Sequence, residues 1–362
     1  MTGVALTGAR GFLGWHVRCA LRERGVESLP IPVGDDFSQA DTIAAVDGSS
    51  RLIHLAGVNR GTDHEVQEGN LRFARQVAEA LRAAADPPEV VVFANSVQAT
   101  GDSVYGDAKA RAAEILREAA EARGVRFEDH LLPNLFGEHG RPFYNSVVAT
   151  FSHLLATGGT PEIAIDRELD LLHAQDAADL LIGSTASVDD RVTQATVGDV
   201  LKKLSDIAAR YRSGEIPDIA ASFDRDLFNT YRSFSFPVQG PFELRANSDA
   251  RGSFFELIRC GGGESQSSFS TTAPGISRGD HFHRRKVERF AVVEGAGVIS
   301  MRRLFTDEVL RFEVSGARPM AIDMPTLWSH KIENIGEQTL VTSFWANELF
   351  RPDSPDTIAE AV

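Results

Sequence analysis

The sequence predicts two fold classes in series. The first is α/β, a doubly wound parallel sheet of the Rossmann type over residues 1–238, and the second is an all-β jelly-roll barrel over 239–362. Three observations predict them. A glycine-rich turn joins the first strand-like run to the first helical one. Short β-rich runs then alternate with helical stretches, the pattern of βαβ units. After Phe236-Pro237 the pattern changes to short strands separated by turns, and histidines and a glutamate recur among them.

Val4-Ala5-Leu6 is the first buried strand, and a helix should follow from Gly14 to Arg24, closed by Gly25. Leu52 to Leu55 and Val90 to Phe93 are further buried strands, with a helix at Asn70–Ala84 between them. Ile163 to Arg232 reads as mostly helical. Strands are then expected at Phe254–Ile258, Phe290–Val293, Val298–Met301, Met320–Ile322 and Leu340–Trp345, which puts the domain boundary near 236–243. Gly261-Gly262-Gly263 reads as a loop tip.

Composition narrows the function. At 362 residues the chain is long enough for two cores, and 43% apolar with 24% charged residues is ordinary for a soluble protein. A net charge of −14 argues against nucleic acid as a partner, because phosphate backbones require clustered Lys and Arg. Cys19 and Cys260 are too few and too far apart for a disulfide framework, which suits a reducing cytoplasm. Met1 leads directly into a strand-like run without a signal pattern, and no apolar run reaches the ~20 residues that span a bilayer. A cytoplasmic protein with no membrane partner is expected.

The segment Thr7-Gly8-Ala-Arg10-Gly11-Phe12-Leu13-Gly14 lies between the first strand and the first helix. Gly8 and Gly11 allow a tight turn and close approach of backbone to a pyrophosphate, Gly14 lets the helix pack on the sheet, and the helix N-terminus favours the anion. The Gly-x-x-Gly-x-x-Gly spacing resembles that of extended short-chain dehydrogenases, whose triad is Ser/Thr, Tyr and Lys. Tyr105-Gly-Asp-Ala-Lys109 supplies the last two, four apart and so on one helix face. Lys109 lowers the phenol pKa and holds the nicotinamide ribose, and Tyr105 passes a proton to a carbonyl oxygen as hydride arrives. Ser96, third after Phe93, matches the hydroxyl that polarises the carbonyl. Val97-Gln98 follows it where dehydratases of that family carry an acid, so dehydration is disfavoured.

Asp36-Phe37 reads as the pair flanking the adenine, and Arg10 is placed to meet a 2′-phosphate, which favours NADPH over NADH. His54-Leu55-Ala56-Gly57 and then Asn59-Arg60 should line the cofactor and substrate cleft. Pro133-Asn134 falls where that family sets a loop against nicotinamide and substrate, and Asn145 and Arg167 fall where it touches the sugar nucleotide.

The second half carries Gly-Asp-His281-Phe-His283-Arg-Arg-Lys-Val-Glu288, and then His330 after Pro325-Thr-Leu-Trp-Ser. Three imidazoles and a carboxylate suit zinc or another divalent metal. His281 and His283, alternating on one strand, would point together into a barrel that Glu288 and His330 close from neighbouring strands. The spacing, with Gly279 before the cluster and Gly295 and Gly297 after it, is similar to that of metal-binding cupins. Two catalytic modules on one chain suggest consecutive steps on one substrate.

Over nearly its whole length the chain resembles the CapF-like bifunctional capsule-synthesis enzymes, which join an extended short-chain reductase to a zinc cupin. The resemblance rests on Thr7–Gly14, His54–Arg60, Ser96–Lys109, Tyr144–Phe151, Arg167–Leu169, Asp226–Tyr231, and above all on Asp249–Phe254 and Gly279–Val293. It implies that the cupin epimerises C3 of a UDP-4-keto-6-deoxy-N-acetylhexosamine. The first domain would then reduce C4 with NADPH to a 6-deoxy-L-talosamine nucleotide, in a homodimer. Two other readings compete: a reductase whose cupin only supports dimerisation, and a sugar-nucleotide-binding regulator with a dead site. The intact set Ser96, Tyr105 and Lys109 argues against the last.

Overall fold

The structure is a computed structural model and describes residues 3–244, 246–249, 252–255, 258–262 and 265–362. Ala250 and Arg251 of the Asp249–Phe254 match, Glu256 and Leu257 of the strand expected at Phe254–Ile258, and Gly263 of the glycine tip lie outside the described residues.

By packing, the chain forms two compact units: residues up to Phe136 with Glu168–Ala195, and Gly137–Arg167 with the residues from Thr196 onward. The first is built on parallel strands β1 (Val4–Thr7), β2 (Ser28–Ile31), β3 (Arg51–His54), β4 (Val90–Ser96) and β5 (Arg126–Leu132), ordered β2-β1-β3-β4-β5. Their connections carry helices α1 (Phe12–Glu23), α2 (Gln39–Val46), α3 (Asp63–Ala83) and α4 (Val104–Glu121). Alternate strand residues feed opposite faces. Val4, Leu6, Ile53, Val90 and Val92 form one apolar core with α1, whereas Ala5, Leu52, Val91 and Phe93 form the other with α3 and α4. β1 sits between β2 and β3, so the topological switch point, where such sheets hold ligands, lies at the carboxyl ends of β1 and β3.

Helix α3 starts at Asp63, seven residues before the expected Asn70, because Thr62 and Glu65 form a reciprocal capping box. A small sheet follows from β6 (Asn134–Phe136), β7 (Glu168–His173) and β8 (Thr193–Thr196); in the sequence α5 (Val147–Thr157) comes between β6 and β7, and α6 (Ala174–Leu181) follows β7. The stretch read as mostly helical therefore contains strands; β7 alternates exposed and buried residues over its first half, a short signal beside long helices.

In the second unit, α5 packs with α7 (Val197–Arg212) and α8 (Ser222–Gln239). After β9 (Phe242–Glu243), β10 (Ala246–Asp249) and β11 (Gly252–Phe255), the barrel strands are β12 (Gln266–Thr272), β13 (Ser277–Phe282), β14 (Glu288–Glu294), β15 (Ala296–Arg303), β16 (Val309–Ser315), β17 (Met320–Met324), β18 (Trp328–Asn334), β19 (Leu340–Ala346) and β20 (Ile358–Ala359). Together with β9 they form two five-stranded sheets, β12-β19-β14-β17-β9 and β16-β15-β18-β13-β20. Val292, Ile322 and Met324 of one meet Ile299, Met301, Trp328 and Ile332 of the other in one core, as in a jelly roll. The boundary expected near 236–243 falls inside this unit because α8 enters that core, where Phe236 meets Trp328 edge-on with ring centroids 5.4 Å apart. Among the described residues no helix is long and apolar enough to cross a membrane.

Candidate active sites

The first site is built at the switch point. Thr7 and His54, the last residues of β1 and β3, are register partners. The Thr7 hydroxyl lies 2.8 Å from His54 Nδ1 and accepts the amides of Leu55 at 3.0 Å and Ala56 at 3.2 Å. Thr7 is fully buried, so its side chain fixes the loop after β3 rather than facing a cleft. His54, expected to line that cleft, is also buried, and burial with the nearby Lys109 holds its pKa down to about 3. Neither inward-facing role was readable from the motif, since a strand-end polar residue points either way.

The glycine loop is set by contact. A side chain on Gly14 would place its Cβ 2.1 Å from Gly8 O, and Gly8 itself has φ +67 with a Cβ position 2.8 Å from Ala56 N. Arg10 and Gly11 stand exposed at the tip of this loop, while Phe12 and Leu13 are half-buried at the start of α1. Leu13 and Leu55 pack against the core, and Ala56 is half-buried beside exposed Gly57. Asn70, which the motif reading passed over, braces this loop: it donates to Val58 O at 2.7 Å and accepts from Val58 N at 3.3 Å. A cavity of about 880 Å³ opens beside it, lined by Gly34, Asp36, Val58, Arg60, Arg72 and Phe73 among others. Asp36, in the short turn after β2, thus shares a hollow with Arg60, and Phe37 is half-buried at the turn's end.

Beyond β4, Ser96 accepts from Gln98 N at 3.2 Å, which leaves the hydroxyl proton available to a ligand. Ser103 caps α4, which presents Tyr105 half-buried and Lys109 one turn on. Lys109 Nζ donates to Ala94 O at 2.6 Å and lies 3.9 Å above the Phe93 ring. Burial lowers its pKa to about 7, opposed by Asp129. Pro133 and Asn134 follow β5, and Asn134 Nδ2 reaches Asp170 O at 3.3 Å. Asn59 is exposed on the loop after β3. Asn145 and Arg167 belong to the second unit; both are exposed, Asn145 just ahead of α5 and Arg167 with its carbonyl accepting Val197 N at 3.1 Å.

The second site lies between the barrel sheets. His281 on β13 is the cross-strand partner of His330 on β18, and Glu288 opens β14 in the opposite sheet. Gly279 permits this pairing, since a Cβ there would lie 2.6 Å from His330 O. His283 was expected on the same strand as His281, but β13 ends at Phe282 after a bulge, and His283 begins the following turn. The rings still converge, with His281–His330 centroids 4.7 Å apart and His283–His330 5.1 Å apart. One ligand atom from each of the four residues lies within 4.8 Å of the others.

These residues fit a divalent metal. His330 Nε2 is buried with no hydrogen-bond partner among the described residues, 3.6 Å from Glu288 Oε2. His283 Nε2 is 2.8 Å from the same oxygen. Burial and the adjacent imidazoles push His281 down to about 4, and burial lowers His330, so both favour the neutral, ligating form. Burial also acts to lower His283, but the Glu288 carboxylate outweighs it and raises this imidazole. Burial works against the Glu288 anion, yet His283 and His330 hold that carboxyl well below the usual range.

Comparison with known proteins agrees with both halves. Residues 4–195 match the NAD dependent epimerase/dehydratase family, and residues 247–358 match the polysaccharide biosynthesis C-terminal domain. A protein of Pseudomonas aeruginosa named UDP-2-acetamido-2,6-beta-L-arabino-hexul-4-ose reductase is 30% identical over 371 residues, covering 99% of this chain and 98% of that one. The crystal structure of the capsular polysaccharide assembling protein CapF from Staphylococcus aureus matches over 100% of both chains, with 32% identity and a TM-score of 0.62. A UDP-glucose 4-epimerase from Thermotoga maritima shares the fold alone, at 17% identity over 57% of this chain and 83% of that one, with a TM-score of 0.50.

Proposed function

From a chain that belongs to the NAD dependent epimerase/dehydratase family and is CapF-like along its whole length, we propose a two-step nucleotide-sugar enzyme of polysaccharide synthesis. The barrel epimerises C3 of a UDP-4-keto-6-deoxy-N-acetylhexosamine, and the first unit reduces the C4 ketone with NADPH. The observation that carries this reading is the convergence of His281, His283, Glu288 and His330 on a chain that also sets Tyr105 and Lys109 beyond β4.

When bound, a divalent cation supplies the Lewis acidity that makes the C–H beside a ketone acidic, and the nicotinamide supplies hydride. The chain's residues do the remainder. Tyr105 gives its phenolic proton to the C4 oxygen as hydride reaches the carbon, Ser96 donates to the same oxygen, and Lys109 favours the phenolate left behind. Arg10 meets the 2′-phosphate, and the backbone of Gly8, Gly11 and Phe12 receives the pyrophosphate, with Leu13, Gly14, Asp36, Phe37, Leu55, Ala56, Gly57 and Pro133 around the cofactor. Asn59, Arg60, Asn134, Asn145 and Arg167 are assigned to the nucleotide sugar. Zinc suits the ligand set best. A homodimer in the cytoplasm accords with the same family resemblance.

The test uses the full chain. With the 4-keto substrate in D₂O and no NADPH, deuterium should enter C3, and a chelator should abolish its entry. Tyr105→Phe should stop NADPH oxidation and preserve the exchange. Absence of exchange in metal-loaded protein would reduce the reading to a reductase with a structural barrel.

A further inference from the structure

We infer that residues 354–362 form a strap that orients one metal-site histidine, with Asp356 as the positioning residue for His283. This rests on the metal-centre reading above and goes beyond it. Each histidine of the cluster has its ring set by a backbone group. His281 is bonded to Gly279 and His330 Nδ1 to Trp328 O at 3.3 Å, both two residues away on the same strand. His283 differs: its Nδ1 lies 2.5 Å from the carbonyl oxygen of Asp356, seventy-three positions along the chain. With the proton on Nδ1, Nε2 is left facing Glu288 and the cluster.

Asp356 is built for this position. It is 4% exposed and sits at φ +44, in the region that few residues other than glycine, asparagine and aspartate tolerate. Its carboxylate accepts the amides of Arg284 at 3.0 Å, Arg285 at 2.9 Å and Lys286 at 2.8 Å. Those amides form the turn that carries the chain from His283 to Glu288. One residue therefore fixes the ring of one ligand through its carbonyl and the spacing between two ligands through its carboxylate. The strap is itself anchored. Lys286 Nζ donates to Pro355 O at 2.9 Å, Ile358 and Ala359 pair with Phe282 and His281, and Arg302 binds Glu360 at 2.9 Å. A turn that served only the fold would not need its cap to reach back to a ligand ring.

The test measures metal rather than turnover. Co²⁺ is titrated into metal-free full-length protein, with affinity read by chelator competition and geometry by the visible spectrum. Asp356→Gly accepts the positive φ but loses the carboxylate, and should weaken Co²⁺ binding about 10- to 100-fold with an altered spectrum. Asp356→Asn keeps one acceptor oxygen and should fall between it and wild type, while His283→Ala should lose most affinity. Wild-type affinity and spectrum in both Asp356 variants would overturn the role, since a purely structural residue would lower thermal stability alone. In wild-type protein loaded with Zn²⁺, a slowly exchanging Nδ1–H on His283 is expected by ¹⁵N NMR, and its absence would also count against the strap, whether or not the variants fold. Wild-type protein that binds neither ion would remove the metal centre itself and the strap's role with it.

Discussion

Tyr211, near the end of α7, donates its hydroxyl to the buried carboxylate of Asp323 on β17. Arg289 of β14 grips the same carboxylate, with Nε at 2.7 Å and Nη2 at 3.2 Å. Burial disfavours the Asp323 anion, but Arg289 outweighs it and keeps that pKa below the usual value. One residue further on β17, Met324 O accepts from Arg232 of α8. The helices are thus wired into β17, whose Met324 is the register partner of Glu288.

Removing the carboxylate should therefore be severe. Asp323→Ala strands Arg289, which is 3% exposed on its side chain, as an uncompensated buried cation. A loss of about 3–5 kcal/mol is expected by urea unfolding, because breaking one partner of a buried pair leaves its charge unpaid. Asp323→Asn should lose less, since an amide oxygen still accepts from Arg289. A change below about 1 kcal/mol for the alanine variant would show that the network carries little stability.

How much of this was legible beforehand follows from what sequence patterns encode. The glycine loop, Tyr105 with Lys109, and His281, His283 and Glu288 stand out in the sequence because each group is a matter of residue type at short spacing, whereas His330 lies forty-two residues beyond Glu288 and joins them only through the pairing of β18 with β13. The burial of Thr7 and His54 does not stand out, because it depends on how two parallel strands register. Asp356 was invisible for a related reason: nothing local distinguishes a loop aspartate that caps a turn seventy residues away. The expected boundary near 236–243 followed the change from helical to strand periodicity. Packing divides the chain elsewhere because Tyr211, Arg232 and Phe236 bury their side chains in the barrel, which periodicity does not record.

If Lys109 serves ketone reduction as proposed, it should give the reaction a pH dependence. The Lys109 pKa of about 7 in the fold lies below the 10.5 of a free lysine, because burial disfavours the ammonium. The unfolded chain therefore binds more protons between those values, and this residue's contribution to stability rises with pH from about 7 to 10.5. Activity runs the other way. As pH rises through about 7 the Lys109 ammonium loses its proton, so on the proposed role of that charge kcat/KM for ketone reduction should fall over that range. Lys109→Met should lower kcat/KM by roughly 10²-fold or more and remove the inflection. A wild-type profile flat from pH 6 to about 9 would contradict this.

The role proposed for Arg10 in nicotinamide preference is open to a direct test. Arg10 is exposed at the tip of the glycine loop, with no ion pair among the described residues. A charge-assisted contact to a 2′-phosphate contributes about 1.5–3 kcal/mol, so Arg10→Ala should raise the Kd for NADPH by roughly 10- to 100-fold. The Kd for NADH should barely move. Equal weakening of both cofactors, measured by fluorescence titration, would assign Arg10 to the pyrophosphate or to the loop itself.

Two glycines of that loop should separate folding from binding. A methyl group on Gly14 would run into the backbone of Gly8 and Ala9, with Gly8 O at 2.1 Å, Gly8 C at 2.8 Å and Ala9 Cα at 2.9 Å. Backbone cannot swing aside as a side chain can, so Gly14→Ala must push α1 off the loop and should cost several times the ~1 kcal/mol of an average substitution. Gly11 is different. It is exposed at φ −75, and its Cβ position meets only Gly8 O, at 3.2 Å. Gly11→Ala should leave thermal stability within about 0.5–1 kcal/mol of wild type and instead weaken cofactor binding, because the added methyl group occupies the face where the pyrophosphate approaches. Calorimetry and NADPH titration on the two variants check the pair. If Gly11→Ala binds NADPH as wild type does, the cofactor does not approach the loop from its exposed tip.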